Sequence, residues 1–290
     1  MGNISVRGAI VITGASSGIG AACARYLDGL GFTVWAGVRS KEDGEALARL
    51  TSARLRVLTL DVTDPVSIAA AGRTLAESDG EIGLAGLVNN AGISVAGPLE
   101  LLPLAELRTQ FEVNVIGALA VTQAFLPLLR RAGGRIVNIS SIAGLAATPF
   151  LGAYCGSKYA LEAMSDALRL ELAPWGISVS LVEPGAIQSQ IWQRAEMSAR
   201  QTLRGVTPES LSLYAHQLAR MQEVMTGAAA RAIPAENVAH VVAEALTASR
   251  PRVRYLVGKD ARVRAMLKWI LPDRFQDRLL AWFLRLPHPV

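Results

Sequence analysis

Short apolar, β-branched runs alternate with amphipathic stretches along most of the chain. The runs Ala9–Thr13, Thr33–Val38, Leu55–Leu60, Gly86–Asn89, Arg135–Ser140, Ser178–Glu183 and Arg254–Val257 are almost continuously apolar. That is the pattern of strands covered on both faces rather than of half-exposed ones. Between them, residues 18–30, 41–51, 65–79, 104–131, 153–174 and 235–249 read as helices. Regular strand–helix alternation predicts an α/β fold with a doubly wound parallel sheet of about seven strands and right-handed crossovers. Pro127 is expected to kink or end the apolar helix through Ala118–Leu129, because proline lacks the N–H that continues the ladder.

The rhythm breaks twice. Residues 189–234 form a helical and irregular insertion rich in Met and Leu, and a basic stretch follows Val257. With no repeat or Gly/Ser linker, the reading is one catalytic domain over 1–258, a substrate-lid insertion at 189–234 and an amphipathic extension over 259–290. In that extension Val263, Met266, Leu267, Ile270 and Leu271 recur at helical spacing, with Arg262, Arg264 and Lys268 elsewhere on the helix. Phe275, Leu279, Trp282, Phe283 and Leu286 continue the stripe beyond Pro272. Such a tail packs on protein, or lies in a membrane interface.

Composition narrows the classes. Hydrophobic residues are 51% of the chain and charged residues 18%, a balance that builds a core and excludes disorder. The net charge of +5 resides in the tail: residues 250–290 hold ten Lys and Arg against three Asp and Glu. No base-stacking or groove-reading module accompanies it, which argues against nucleic acid as a partner. Two cysteines, Cys23 and Cys155, have neither disulfide nor metal spacing, and His216, His240 and His288 are scattered, so no metal site is expected. A reducing, cytoplasmic setting follows, with peripheral membrane association allowed by the tail. Ala9-Ile10-Val11-Ile12 is too short for a signal peptide, Val6 spoils a myristoylation pattern at Gly2, and no run is expected to reach membrane-spanning length.

Three features carry chemistry. Tyr154 and Lys158 stand four apart on a helix and share a face, with Ser141 thirteen residues upstream of Tyr154. A phenol holds its proton to about pH 10, and a fixed ammonium beside it favours the phenolate. Gly14, Ser16, Ser17, Gly18, Ile19 and Gly20 follow the first strand and open the first helix, the place where glycines let backbone approach a pyrophosphate. Their spacing is G-x-x-x-G-x-G. At the end of the second strand Val38-Arg39-Ser40 has no carboxylate for a ribose 2′-hydroxyl, and Arg39 suits a 2′-phosphate, which favours NADP(H) over NAD(H).

Taken in order, Thr13-Gly-Ala-Ser-Ser-Gly-Ile-Gly20, Asp61-Val62, Asn89-Asn-Ala-Gly92, Asn114, Ser141, Tyr154-x-x-x-Lys158 and Pro184-Gly185 resemble the short-chain dehydrogenase/reductase family in its shorter single-domain form. The resemblance covers roughly residues 5–258 and implies a Rossmann-type fold. It implies Tyr154 as general acid or base, Lys158 on the nicotinamide ribose, Ser141 on the substrate oxygen and Asn114 holding a relay water. Gly14, Ser17, Ile19 and Arg39 would surround the pyrophosphate and adenosine phosphate, and Asp61 and Val62 would meet adenine. Asn90, Ala91 and Gly92 would form the wall beside it, and Pro184, Gly185, Ile187 and Ser189 would frame the nicotinamide, Ser189 standing where the family commonly has Thr.

Segments such as Gly37-Val38-Arg39-Ser40 and Leu181-Val182-Glu183-Pro184-Gly185 look like the retinol and 17β-hydroxysteroid dehydrogenase branch. Ala143, Leu145, Ala146, Pro149, Phe150, Ile191 and Trp192 are expected to border a small apolar substrate. Met197, Leu203, Leu218, Met221 and Met225 are expected to cover it, with no Lys or Arg committed to a substrate acid. The expected activity is hydride transfer to or from a steroid, retinoid or long-chain alcohol or carbonyl, the alternative being an NAD(P)-binding sensor or scaffold without turnover. The family also implies a homodimer or homotetramer built on the helices near 104–131 and 153–174.

Overall fold

A computed structural model describes residues 8–284 and 286, apart from 190, 192–194, 198 and 200–204. The seven expected strands are met by β1 (Ala9–Ile12), β2 (Thr33–Val38), β3 (Leu55–Thr59), β4 (Leu84–Asn89), β5 (Arg135–Ile139), β6 (Ser178–Pro184) and β7 (Arg254–Val257). They form one sheet in the order β3-β2-β1-β4-β5-β6-β7, every neighbouring pair parallel. Helices α1 (Gly18–Gly29), α2 (Lys41–Ala48), α3 (Pro65–Asp79), α4 (Leu104–Phe111), α5 (Ala118–Ala132) and α6 (Gly152–Glu171) cross between strands. Then come α7 (Pro208–Ser212), α8 (Ala215–Ala230), α9 (Glu236–Thr247), α10 (Lys259–Ile270) and α11 (Asp273–Leu284).

Strand periodicity sorts the core into two layers. Ile10 and Ile12 of β1 join α1 and α9 in one buried cluster, whereas Ala9 and Val11 join α3 and α5 in the other. Successive side chains on a strand point to opposite faces, so a strand with helices on both sides is apolar throughout. Between the layers, buried amides bridge strands to helices: Asn89 Nδ2 donates to Thr122 Oγ1 (2.9 Å) and Asn138 Oδ1 (2.8 Å), and Asn138 Nδ2 donates to Ser165 Oγ (2.8 Å).

The expected helix 104–131 is divided. A π-helical turn, Glu112–Gly117, separates α4 from α5. Pro127 lies inside α5 and does not end it; the stop is Gly133, left-handed at φ 57°, with the Gly134 N–H on Leu129 O at 2.8 Å. Pro127 and Gln123, whose carbonyl loses its helical partner, both lie on the face exposed to solvent. Contrary to the expectation from sequence, Leu104–Ala132 is long and apolar enough to cross a membrane by length and composition, with mean hydropathy 1.5. Half of its apolar window is buried inside the protein, where Val121, Phe125 and Leu129 belong to the core layer shared with β4.

One charge cluster ties the C-terminal half of the sheet together. Arg254 of β7 meets Glu162 (3.2 Å) and Asp166 (2.7 Å) of α6 and Glu183 (3.2 Å) of β6. Glu162 and Glu183 are 5% and 1% exposed, too dry for both to ionise beside one guanidinium. Burial and the neighbouring Glu162 charge push Glu183 up to about 8, and burial pushes Glu162 up as well. The pair holding one proton is thus the native form, so its stabilisation is complete below the ordinary Glu value and is lost as pH rises through about 8. Thermal melts should show Glu183→Gln, which mimics the protonated carboxyl, losing less stability than the parent between pH 5 and 8.5. Equal slopes would remove the shared-proton account.

Candidate active site

The site opens where the sheet reverses its winding, between β1 and β4. At the end of β1 the chain turns through Gly14 (φ 64°) and Gly18 (φ 55°) into α1. A Cβ on Gly14 would stand 2.8 Å from Ala91 Cα, so this turn requires glycine. Thr13 leaves the strand one residue earlier than its apolar run suggests, because its Oγ1 accepts the N–H groups of Asn90 and Ala91, both at 2.9 Å. Asn90 Nδ2 returns bonds to Thr13 O (2.9 Å) and Gly14 O (3.0 Å).

The turn forms one end of a cavity of about 370 Å³ that runs to α6. Gly14, Ser16, Ser17, Gly18, Ile19, Arg39, Asp61, Val62, Asn90, Ala91 and Gly92 line it at that end. Ser141, Tyr154, Lys158, Pro184, Gly185, Ile187 and Ser189 line it at the other. Gly20 is no part of the wall; its missing side chain leaves room for Gly14 O and Asn90 Nδ2, which a Cβ would meet at 2.3 and 2.5 Å. The cradle therefore fits a dinucleotide: backbone at the turn, Arg39 exposed at the rim and Asp61 beside it. The Thr63 backbone N–H holds the Asp61 carboxyl below the usual range, helped by Arg39. Asp43, in the first turn of α2, also lines the cavity, a carboxylate that the strand-end pattern did not include.

At the far end, Ser141 follows β5 and its Oγ accepts the Ala143 N–H at 3.1 Å. The Ser141 hydroxyl also hydrogen-bonds the Tyr154 phenol. Burial outweighs that bond and pushes Tyr154 up to about 12. The expected downward pull from Lys158 does not dominate: its Nζ lies 5.8 Å from the ring centroid and donates to Ile139 O at 2.7 Å. Burial brings Lys158 down to about 8, partly opposed by the Glu162 charge.

Asn114 lies behind the wall, in the π-helical turn and 1% exposed. Its side chain is committed: Oδ1 accepts the Ile93 N–H at 2.9 Å, while Nδ2 donates to Ile93 O (3.0 Å) and Ser157 Oγ (3.1 Å). Gln110 repeats the pattern one turn earlier, accepting from Val95 N and donating to Ile93 O. These amides hold the loop after β4 against α4 and leave no side-chain amide group free for a water.

Of the expected substrate-facing residues, Ala143 and Ile191 line the cavity, as does Met225 of α8. Among the described residues Leu145, Ala146, Pro149 and Phe150 do not, and neither do Leu218, the buried Met221 or the exposed Met197. Trp192 and Leu203 lie outside the described residues. The tail contributes what periodicity missed. Asp260 of α10 accepts the Ala186 N–H (2.8 Å), and Arg264 donates from Nη2 to Ala146 O (3.0 Å) and Thr148 Oγ1 (2.9 Å); both residues line the cavity. Nothing in a basic helical stripe distinguishes these two from their exposed neighbours.

Comparison with known proteins agrees with this architecture. The family model described as short chain dehydrogenase matches residues 8–199. The chain is 36% identical over 275 residues to an NADPH-dependent 3-dehydrocapnine reductase of Ornithobacterium rhinotracheale, covering 93% of this chain and 94% of that one. It is 37% identical to human retinol dehydrogenase 16 (94% and 87% covered) and 39% identical to human 17-beta-hydroxysteroid dehydrogenase type 6 (93% and 87%). A short-chain dehydrogenase structure from Streptomyces avermitilis superposes with a TM-score of 0.77 at 30% identity, covering 95% and 96%. The chain belongs to the short-chain dehydrogenase/reductase family, on the retinol and 17β-hydroxysteroid dehydrogenase branch, and is an oxidoreductase acting on CH–OH groups with a nicotinamide cofactor.

Proposed function

We propose that the protein transfers hydride between NADP(H) and an apolar alcohol/carbonyl pair of steroid, retinoid or long-chain type, with Tyr154 as the proton-transfer group. The observation that carries this reading is the meeting of Ser141, Tyr154 and Lys158 at one end of a largely apolar cavity. Bound nicotinamide supplies or accepts the hydride. A phenol pushed up to about 12 is protonated at neutral pH, which suits proton donation to a carbonyl oxygen. Ser141 adds a second hydrogen bond to that oxygen, stabilising charge as it develops. Lys158, anchored on Ile139 O, is placed to hold ribose hydroxyls and to bring positive charge beside the phenolate left after transfer. Since the Asn114 side chain is fully engaged, a relay water there would rest on its main-chain carbonyl.

Tyr154→Phe should lower kcat for carbonyl reduction by about 10²–10⁴-fold while NADPH binding, read by fluorescence titration, is retained. Turnover equal to the parent would overturn the assignment, whereas a complete lack of turnover in the parent would favour the sensor reading.

Preference for NADP(H) rests on Arg39 at the cavity rim, and is in keeping with the NADPH named for the Ornithobacterium relative. Arg39→Ala should raise the KM for NADPH by about 10–100-fold, the loss of one charge-assisted contact, with little change for NADH. Parallel changes with both cofactors would count against a 2′-phosphate contact.

The tail favours peripheral membrane contact. Trp269 (90% exposed), Trp282 (70%) and Phe275 (57%) stand out from α10 and α11 among Lys and Arg side chains. The opposite face packs on protein, through buried Ala261, Ala281 and Leu284. Co-sedimentation with anionic liposomes should fall severalfold in Trp269→Ser/Trp282→Ser; equal binding would leave the exposed face without a membrane role.

A further inference from the structure

Arg264 is a cation in the cavity wall that makes no ion pair among the described residues. Its Nη2 donates to Ala146 O and Thr148 Oγ1, while Nε and Nη1 have no hydrogen-bond partner among the described residues. No carboxylate of a described residue lies within ion-pair distance of it. Asp260, one turn back on α10, accepts the Ala186 N–H and acts on Arg264 only at longer range. Burial pulls the Arg264 guanidinium below its ordinary value. Ala143, Leu151, Ile191, Ala195 and Met225 line the cavity with it and carry no charge, and the carboxylate that acts on it, Asp260, lies beyond ion-pair distance.

A tether on the Ala146–Thr148 loop needs only a neutral donor. A guanidinium held unpaired in low dielectric costs stability, and that cost is recovered when a ligand brings the anion. Arg264 approaches the loop that leads from Ser141 to Tyr154, so it faces the substrate end and not the Gly14 turn. The guanidinium fork matches carboxylate, phosphate and sulfonate oxygens alike.

We propose that Arg264 recognises an anionic group on an otherwise apolar substrate, making the preferred substrate an acidic amphiphile. The proposal rests on the hydride-transfer reading above for what happens to that substrate, but its test does not. Calorimetry on the full chain with NADPH would compare dodecanoate, dodecyl phosphate and dodecanesulfonate with dodecanol, all below micelle formation. At least one anion should bind about 10–100-fold more tightly than the alcohol, and which one does so identifies the head group.

Arg264→Gln keeps a donor for the loop but removes the charge, and should bring the anion-to-alcohol ratio to near unity. Arg264→Lys keeps charge without the fork and should retain part of it. No preference in the parent, or a preference that Arg264→Gln leaves intact, would overturn the proposal. Turnover of neutral ketones is assayed separately, so failure of catalysis counts against the parent reading and leaves the binding result legible.

Discussion

Everything at the site depends on the close approach of two strand ends where the sheet changes its winding. Thr13 accepts two backbone N–H groups from the β4 side, and Asn90 returns its amide to the β1 side. These bonds tie the Gly14 turn to Ala91 at a separation that leaves no room for a Cβ. A crevice at the carboxyl ends of parallel strands follows from the topology, but its width follows from this lock. Strand ends held so close present backbone donors and a helix start to an anionic cofactor without further side-chain charge.

At the other end the organising problem is how to keep charge in a dry place. Lys158 is anchored by Ile139 O and senses Glu162, which in turn shares Arg254 with Glu183 and Asp166. Ionic groups therefore run from the catalytic corner through the sheet to the far edge strand. Each buried charge has a partner or carries a proton, as low dielectric demands. Arg264 differs in lining the cavity itself, with carbonyl and hydroxyl partners and no ion pair among the described residues.

Much of the fold was legible because its signals are local. Apolar β-branched runs marked the strands, and glycines with φ near 60° marked the turn that opens α1. Less was legible where local signals compete. Pro127 suggested a break that solvent exposure of Gln123 makes unnecessary, while Gly133 supplied the stop. The π-helical turn around Asn114 has no periodic signature, since it adds a single residue to a turn and is held by side-chain bonds to Ile93. Apolar patterning also cannot separate a membrane span from a core helix, and Leu104–Ala132 passes as either until Phe125 is seen buried in the sheet layer.

By itself the amino-acid sequence determined the strand–helix alternation, the glycine turn and the Tyr154–Lys158 pair, because spacing along a helix or strand dictates which side chains share a face. Only the tertiary structure decided the electrostatics. It raised Tyr154 by burial, turned the Asn114 side chain toward Ile93, and gathered Glu162, Glu183 and Arg254 from three elements. It also drew Asp260 and Arg264 out of a basic tail and into the wall of the cavity. Burial and charge proximity arise between segments far apart in the chain, so no local pattern can encode them.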